Sequence, residues 1–333
     1  MATYIPRAGV EALMPEDVQR EIVQSVPENS AVMTYARRGP NMSRAQKRIP
    51  CLSVLPTAYF SNPGPSSKTE DEQWKRLSKL MWENKYIDAE ELNVIVPIPI
   101  AVLDDADYDI WAESKPKLIE AFGIAFDQAV FYGINAPRIW PDNIVTAATA
   151  AGNFVAKGSI INPNTNKSDV YEDIMGDGGL ISKVEEDGFM VDGHVCSMTM
   201  RSKFRSLRAT DGIPIFKSLN KEGVQGSTTY YLDGEPCVFP RNGAIIPSRS
   251  LIIAGEWKQL MYAIRKDIMW TILTEAVIQD PTTKEIVFNL AQQNMIALRA
   301  SMRLGWQVPN PINRLNEIEE TRYPFSVYGE AAS

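Results

Sequence analysis

Along one early stretch the chain sorts its charges by sign. From Arg37 to Lys68 there are six basic residues, Arg37, Arg38, Arg44, Lys47, Arg48 and Lys68, and no acid. From Glu70 to Glu113 twelve acids stand against four bases, so neighbouring segments carry +6 and −8. Val26 to Arg48 has few periodic apolar residues, and Lys68 to Glu91 is a long, highly charged excursion carrying Trp74 and Trp82. Segments with so little apolar surface do not offset the entropy of ordering their own backbone. An extended arm and a projecting two-stranded excursion therefore have to lie on something else. The segregated charge is either two solvated faces or a pair of complementary surfaces that meet between copies of the chain.

The rest of the chain is globular in composition: 333 residues, 44% hydrophobic, enough for about two domains. A net charge of −7 provides no global basic field for nucleic acid, so any such contact is local. Cys51, Cys196 and Cys237 stand far apart without a C-x-x-C pair, which leaves neither a disulfide framework nor a local zinc knuckle and points to a reducing compartment. His194 is the single histidine; a two-histidine metal site is impossible, and the residue reads as a polar position after the Asp192-Gly193 turn. MATYIPRAGVEALMPEDVQREI has no apolar h-region, and Ile144 to Ala156 is too short and too rich in Ala and Thr to span a bilayer.

Two motif readings fail on their spacing. A calcium loop starting at Asp105 meets Ile110 where Gly is needed and Pro116 where Glu is needed. MGDGGL at Met175 to Leu180 lacks the third glycine of a dinucleotide loop, with Ile181 in its place. No catalytic, cofactor-binding or metal residue is assigned, and an enzyme is not expected.

Periodicity orders the remaining pieces. A short helix is expected at Glu16 to Ser25, between Pro15 and Pro27, and Cys51 to Phe60 is strand-like. Leu92, Val94, Val96, Ile98 and Ile100 alternate as an edge strand, marked by Pro97 and Pro99. Asp104 and Asp105 suit an N-cap and first turn, opening a helix of about 25 residues whose stripe is Leu118, Phe122, Ala125 and Ala129 and whose stop is Gly133. A Gly-interrupted helix, Val170 to Asp187, a buried segment, Met190 to Met200, and a basic helix at SKFRSLRA lead to the turn at Asp211 to Pro214. Thr228 to Thr274 is rich in strands. Leu298, Ala300, Met302, Leu304 and Trp306 alternate with Arg299, Ser301 and Arg303, and the tail after Pro309 is polar and poorly patterned.

In this order VIVPIPIAVLDDADYDIW leading into IEAFGIAFDQAVFYG, VCSMTMRSKFRSLRATDGIPIF, IIAGEWKQLMYAIRKDIMWTI and MIALRASMRLGWQV resemble the major capsid proteins of tailed bacteriophages, over roughly Ser30 to Pro311. The resemblance implies an α+β fold shared with encapsulins. Its parts are an N-terminal arm (1–53), an extended E-loop hairpin (54–94), a peripheral domain (95–155) with a spine helix at about 105–132, an axial domain (156–280), a return strand (281–315) and a C-terminal tail (316–333). It implies no cofactor. It further implies pentamers and hexamers tiling an icosahedral shell around double-stranded DNA, in a virion assembled in the bacterial cytoplasm with a separate scaffolding protein, a portal and a possible decoration protein, and no membrane. Arg37, Arg38, Arg44, Lys47, Arg48, Trp74 and Trp82 are the expected residues facing other subunits, DNA or scaffold, with Tyr59 and Phe60 beside them. The alternative is an encapsulin-like shell around a cargo enzyme. The Lys-to-Asn cross-link of some relatives finds Lys68, Lys75, Lys79 and Lys85 with Asn310, Asn313 and Asn316, but in no arrangement that matches its motif; the lysines read as solvated.

Overall fold

Ser30 acts as a helix cap in the computed structural model, which describes residues 30–59, 77–105, 110–162, 168–207, 218–220, 228–280 and 282–330. Its Oγ accepts from the Met33 amide at 3.0 Å and starts α1 (Ala31–Tyr35). β1 (Arg37–Arg38) follows, then β2 (Gln46–Val54) and β3 (Met81–Asp88), which pair antiparallel as a ribbon. β4 (Glu90–Pro99) alternates half-buried Leu92, Val94 and Val96 with exposed neighbours, and its one sheet partner leaves it at an edge, where Pro97 and Pro99 are tolerated. After α2 (Ile100–Asp105) comes α3 (Ile110–Tyr132), with Pro116 early inside it. Gly133 ends α3 at φ +69, a left-handed conformation glycine adopts without steric cost.

The chain continues through α4 (Ile144–Ala150), β5 (Phe154–Ala156), α5 (Val170–Met175), α6 (Leu180–Glu186), β6 (Gly193–Cys196), α7 (Met198–Ser206), β7 (Ser218–Asn220), β8 (Thr228–Leu232) and β9 (Glu235–Val238). Then follow β10 (Ile252–Gly255), β11 (Met261–Leu273), β12 (Val277–Gln279), β13 (Ile286–Asn289), β14 (Met295–Gln307) and β15 (Phe325–Gly329). One sheet has the order β1-β11-β14-β4 and a second the order β5-β15-β10-β6-β9-β8-β7; β2-β3 and β12-β13 stand as separate two-stranded ribbons.

The seven-stranded sheet is covered on both faces. Val195, Ile253, Phe325 and Val327 join the core around α1, α3 and α4, while their neighbours Cys196, Ile252, Ala254 and Tyr328 join the core around α5, α6 and α7. With both faces dry, β6, β10 and β15 are buried at every position. Trp257 connects the pieces: its ring meets Tyr35, Phe131 and Phe325 at 5.5, 6.1 and 5.2 Å, and its Nε1 donates to the Gly193 carbonyl at 2.9 Å.

Several sequence expectations need correction. Val26 to Arg48 is not one extended arm, since Ala31 and Val32 are buried in the subunit's own core and Gln46 to Arg48 already belong to the ribbon. Asp104 and Asp105 end α2 instead of capping α3, because the helix begins four residues earlier, at Ile100. The poorly patterned tail contains a central strand: β15 lies between β5 and β10, and five residues with Ser326 and Gly329 among them are too few for a periodic signal. His194 does not follow a turn: Gly193 already opens β6, and His194 is fully buried within that strand. The Glu16 to Ser25 helix, Phe60, Lys68, Trp74, Lys75 and the Asp211 to Pro214 turn lie outside the described residues.

Replacing Trp257 with Ala is expected to remove about 3–5 kcal/mol, since its cavity opens at the meeting point of four segments. Thermal melting of the soluble subunit and the insoluble fraction on expression measure it; an unchanged melt would show that the core around α1 and α3 does not depend on this ring.

Candidate assembly interface

The segment around α1 is held by a carboxylate on α3. Asp127 of α3 is fully buried and accepts from the Ala31 amide at 2.8 Å, the Val32 amide at 3.2 Å and the Ser30 hydroxyl. Burial raises this carboxyl to about 6 against the opposing pull of the three donors, which favour the charged form. From this anchor Arg37 and Arg38 run parallel to β11, opposite Met261 and Tyr262, with both side chains exposed. The Gly39 amide donates to Tyr262 O at 2.7 Å and the Met42 amide to Ile264 O at 2.9 Å. Arg44 and Arg48 are exposed at the ribbon base, and half-buried Lys47 donates from Nζ to Pro40 O at 3.0 Å. The basic residues thus sit on a fixed platform.

The ribbon is anchored at its base, and described residues farther along it stand exposed. Ile87 and Ala89 are buried with Met42 and Ala263. Lys85 pairs with Glu319 at 2.5 Å, Gln307 Nε2 donates to Tyr86 O at 3.1 Å, and Trp140 Nε1 donates to Asp88 O at 2.9 Å. Arg314 adds a bond to Pro56 O. Where the ribbon crosses β14, a Cβ on Gly305 would lie 2.1 Å from Asp88 O, so only glycine lets the two backbones pass. Outside this anchor Leu77, Met81 and Trp82 are 90%, 53% and 62% exposed. The β12-β13 ribbon likewise exposes Val277, Ile286 and Val287. Isolated two-stranded ribbons are marginal in water, and clustered exposed apolar residues mark contact surfaces.

A groove of about 120 Å³ runs between β4 and α3, walled by Phe126, Ala129, Trp140 and Leu304 with Glu90 and Glu91 at its edge. It has the shape and lining to take an apolar side chain. Among the described residues no cluster of His, Cys, Asp and Glu could hold a metal ion, and no helix is long and apolar enough to cross a membrane.

The family model described as "Phage capsid family" matches residues 11–313. The chain belongs to the phage capsid family. The major capsid protein of Staphylococcus phage 80alpha is 25% identical over 288 residues, 86% of this chain and 79% of that one. A solved chain of Microbacterium phage Oxtober96 has a TM-score of 0.76 at 28% identity, covering 98% of this chain and 100% of its own length. One of Mycobacterium phage Cain has a TM-score of 0.77 at 26% identity, covering 99% and 100%. The capsid of an empty GTA particle, at 15% identity and a TM-score of 0.60 over 98% of each chain, shares the fold.

This capsid protein is the major shell subunit of a tailed-phage virion, and the encapsulin alternative is not favoured. Of the residues singled out in its sequence, the structure gathers Arg44, Lys47 and Arg48 at the ribbon base and sets Arg37 and Arg38 on the edge of the four-stranded sheet. Trp82 projects from the ribbon opposite Leu52. The amides of Asn310, Asn313 and Asn316 donate inward, to Arg322 O at 2.7 Å, Asp187 O at 2.6 Å and Asp187 Oδ1 at 2.9 Å, clasping the segment before β15. Sequence reading passed over Asp127, although an acid within AFGIAFDQAVFY is conspicuous on an apolar helix, and over Gly305 and the β12-β13 ribbon.

Two buried groups give the capsid protein opposed pH responses. Burial lowers His194 to about 4, so on acidification from 6.5 toward 4 the unfolded chain takes up the proton first and stability falls by up to about 3 kcal/mol. Asp127 is raised, so between 6 and 4 the folded chain takes up the proton first and stability rises. Relative to wild type, Asp127→Asn is expected to steepen the acid loss and His194→Gln to reduce it, measured by denaturant titration of the subunit at several pH values. Equal pH slopes in all three proteins would refute both assignments.

Proposed function

We propose that the subunit closes an icosahedral shell of pentamers and hexamers by laying its two ribbons on neighbouring copies. The supporting observation is the division of the β2-β3 ribbon into a base held by Gly305, Lys85 and Trp140 and an outer part that leaves Met81 and Trp82 in water. In the family's terms the ribbon is the E-loop, the four-stranded sheet with α3 is the peripheral domain, and the seven-stranded sheet with α5 to α7 is the axial domain. The role is structural and not enzymatic. Arg37 and Arg38, exposed on β1, and Arg44 and Arg48, exposed at the ribbon base, supply the local positive charge that DNA phosphates or an acidic scaffolding segment on the inner face would meet. Scaffold, portal and decoration protein are separate partners in this reading.

Trp82→Ala tests the ribbon. The isolated subunit should melt within about 0.5 kcal/mol of wild type, because the ring covers no core of its own. Electron microscopy should then show few or no closed shells, and a normal yield of particles would remove the ribbon from the interface.

Reversing Arg44, Lys47 and Arg48 to Glu tests the platform. If it faces DNA or scaffold, empty shells should form and package poorly. If it faces the acidic face of a neighbour, assembly should fail without DNA and wild-type assembly should weaken in salt, as the Debye length shrinks from about 10 Å at 0.1 M to about 3 Å at 1 M. Wild-type assembly and packaging in the triple variant would leave the platform merely solvated.

A further inference from the structure

The seven-stranded sheet is joined most sparingly where β6 meets β9. Two residue pairs, His194 with Cys237 and Val195 with Val238, are in register there, and they run parallel, the slightly less stable pairing per residue. Within the sheet, β9, β8 and β7 are tied to the other strands through this joint. Two of the three thiols meet at it: Cys196 Sγ lies 3.1 Å from Cys237 Sγ, and both residues are buried as free cysteines. Cys51, the third, is on β2, in a separate two-stranded ribbon.

We propose that Cys196 and Cys237 form a disulfide within the subunit once the shell leaves the reducing host interior, fastening β9-β8-β7 covalently to the sheet. Virion surroundings permit disulfides, whereas the cytosol keeps thiols reduced. The oxidant is a peroxide. One thiolate attacks it and becomes a sulfenic acid, with one water formed; the second thiolate then attacks that sulfur, the S–S bond forms and a second water leaves. Two thiols thus lose two electrons and one peroxide becomes two waters. Burial raises the Cys196 thiol well above its ordinary value, so thiolate is scarce and the reaction is slow, faster in mild alkali. The pairing rests on the geometry of the joint; only its timing rests on the virion reading.

Shells purified under reductant and then treated with hydrogen peroxide provide the test. After denaturation in iodoacetamide, a reduced chain takes up three alkyl groups. The oxidised chain should take up one, and digestion should give a peptide linking Cys196 to Cys237 that reductant splits. A Cys51→Ser chain should fall from two groups to none. Three alkylatable thiols after oxidation, a link that involves Cys51, or thiols lost to sulfinic acid without a link would overturn the proposal. The same assay on unassembled soluble chain tests the pairing apart from shell formation.

Discussion

Trp257 is the contact on which the core around α1, α3 and the central sheet depends. Its indole touches Tyr35 of α1, Phe131 of α3 and Phe325 of β15, while its N–H ties down β6 at Gly193. Four segments far apart in sequence are fixed by one side chain because an indole combines a large apolar surface with a donor that must be satisfied when buried. The sheet beneath it then separates two dry compartments, and its central strands contribute alternate side chains to each.

Rigidity at the centre lets the periphery remain unfinished. The four-stranded sheet carries Arg37 and Arg38 along β1 and the ribbon across β14; backbone bonds and close packing hold both, and side chains such as Lys85 and Gln307 brace the ribbon base. A projecting ribbon with its base clamped keeps its direction. It can present Trp82 to a neighbour without the entropic cost of ordering a free loop on contact.

Much of the fold was legible in the sequence, for reasons that differ by element. The β4 and β14 alternations and the α3 stripe are long enough for their periods to show, and Gly133 marks the helix end by the conformation it adopts. β15 was not legible, because five residues buried on both faces show no alternation. The anchoring of the segment around α1 was missed because it depends on one long-range carboxylate, Asp127, and the close crossing of β14 by the ribbon because a missing side chain at Gly305 leaves no pattern around it. The polar ribbon was legible for a thermodynamic reason: its composition could not bury itself. Which residues would brace it was not, since Lys85 and Glu319 lie 234 positions apart.

That separation orders events during synthesis. The ribbon leaves the ribosome long before Gln307, Arg314 and Glu319, which brace its base, and before β15, which completes the central sheet. Translation at roughly 5–20 residues per second leaves an interval of many seconds in which the ribbon has no fixed direction. A nascent chain therefore cannot yet present its contact surface in the geometry a shell requires. Competence to associate arrives with the residues that close the fold, so incomplete chains are poorly placed to enter the lattice.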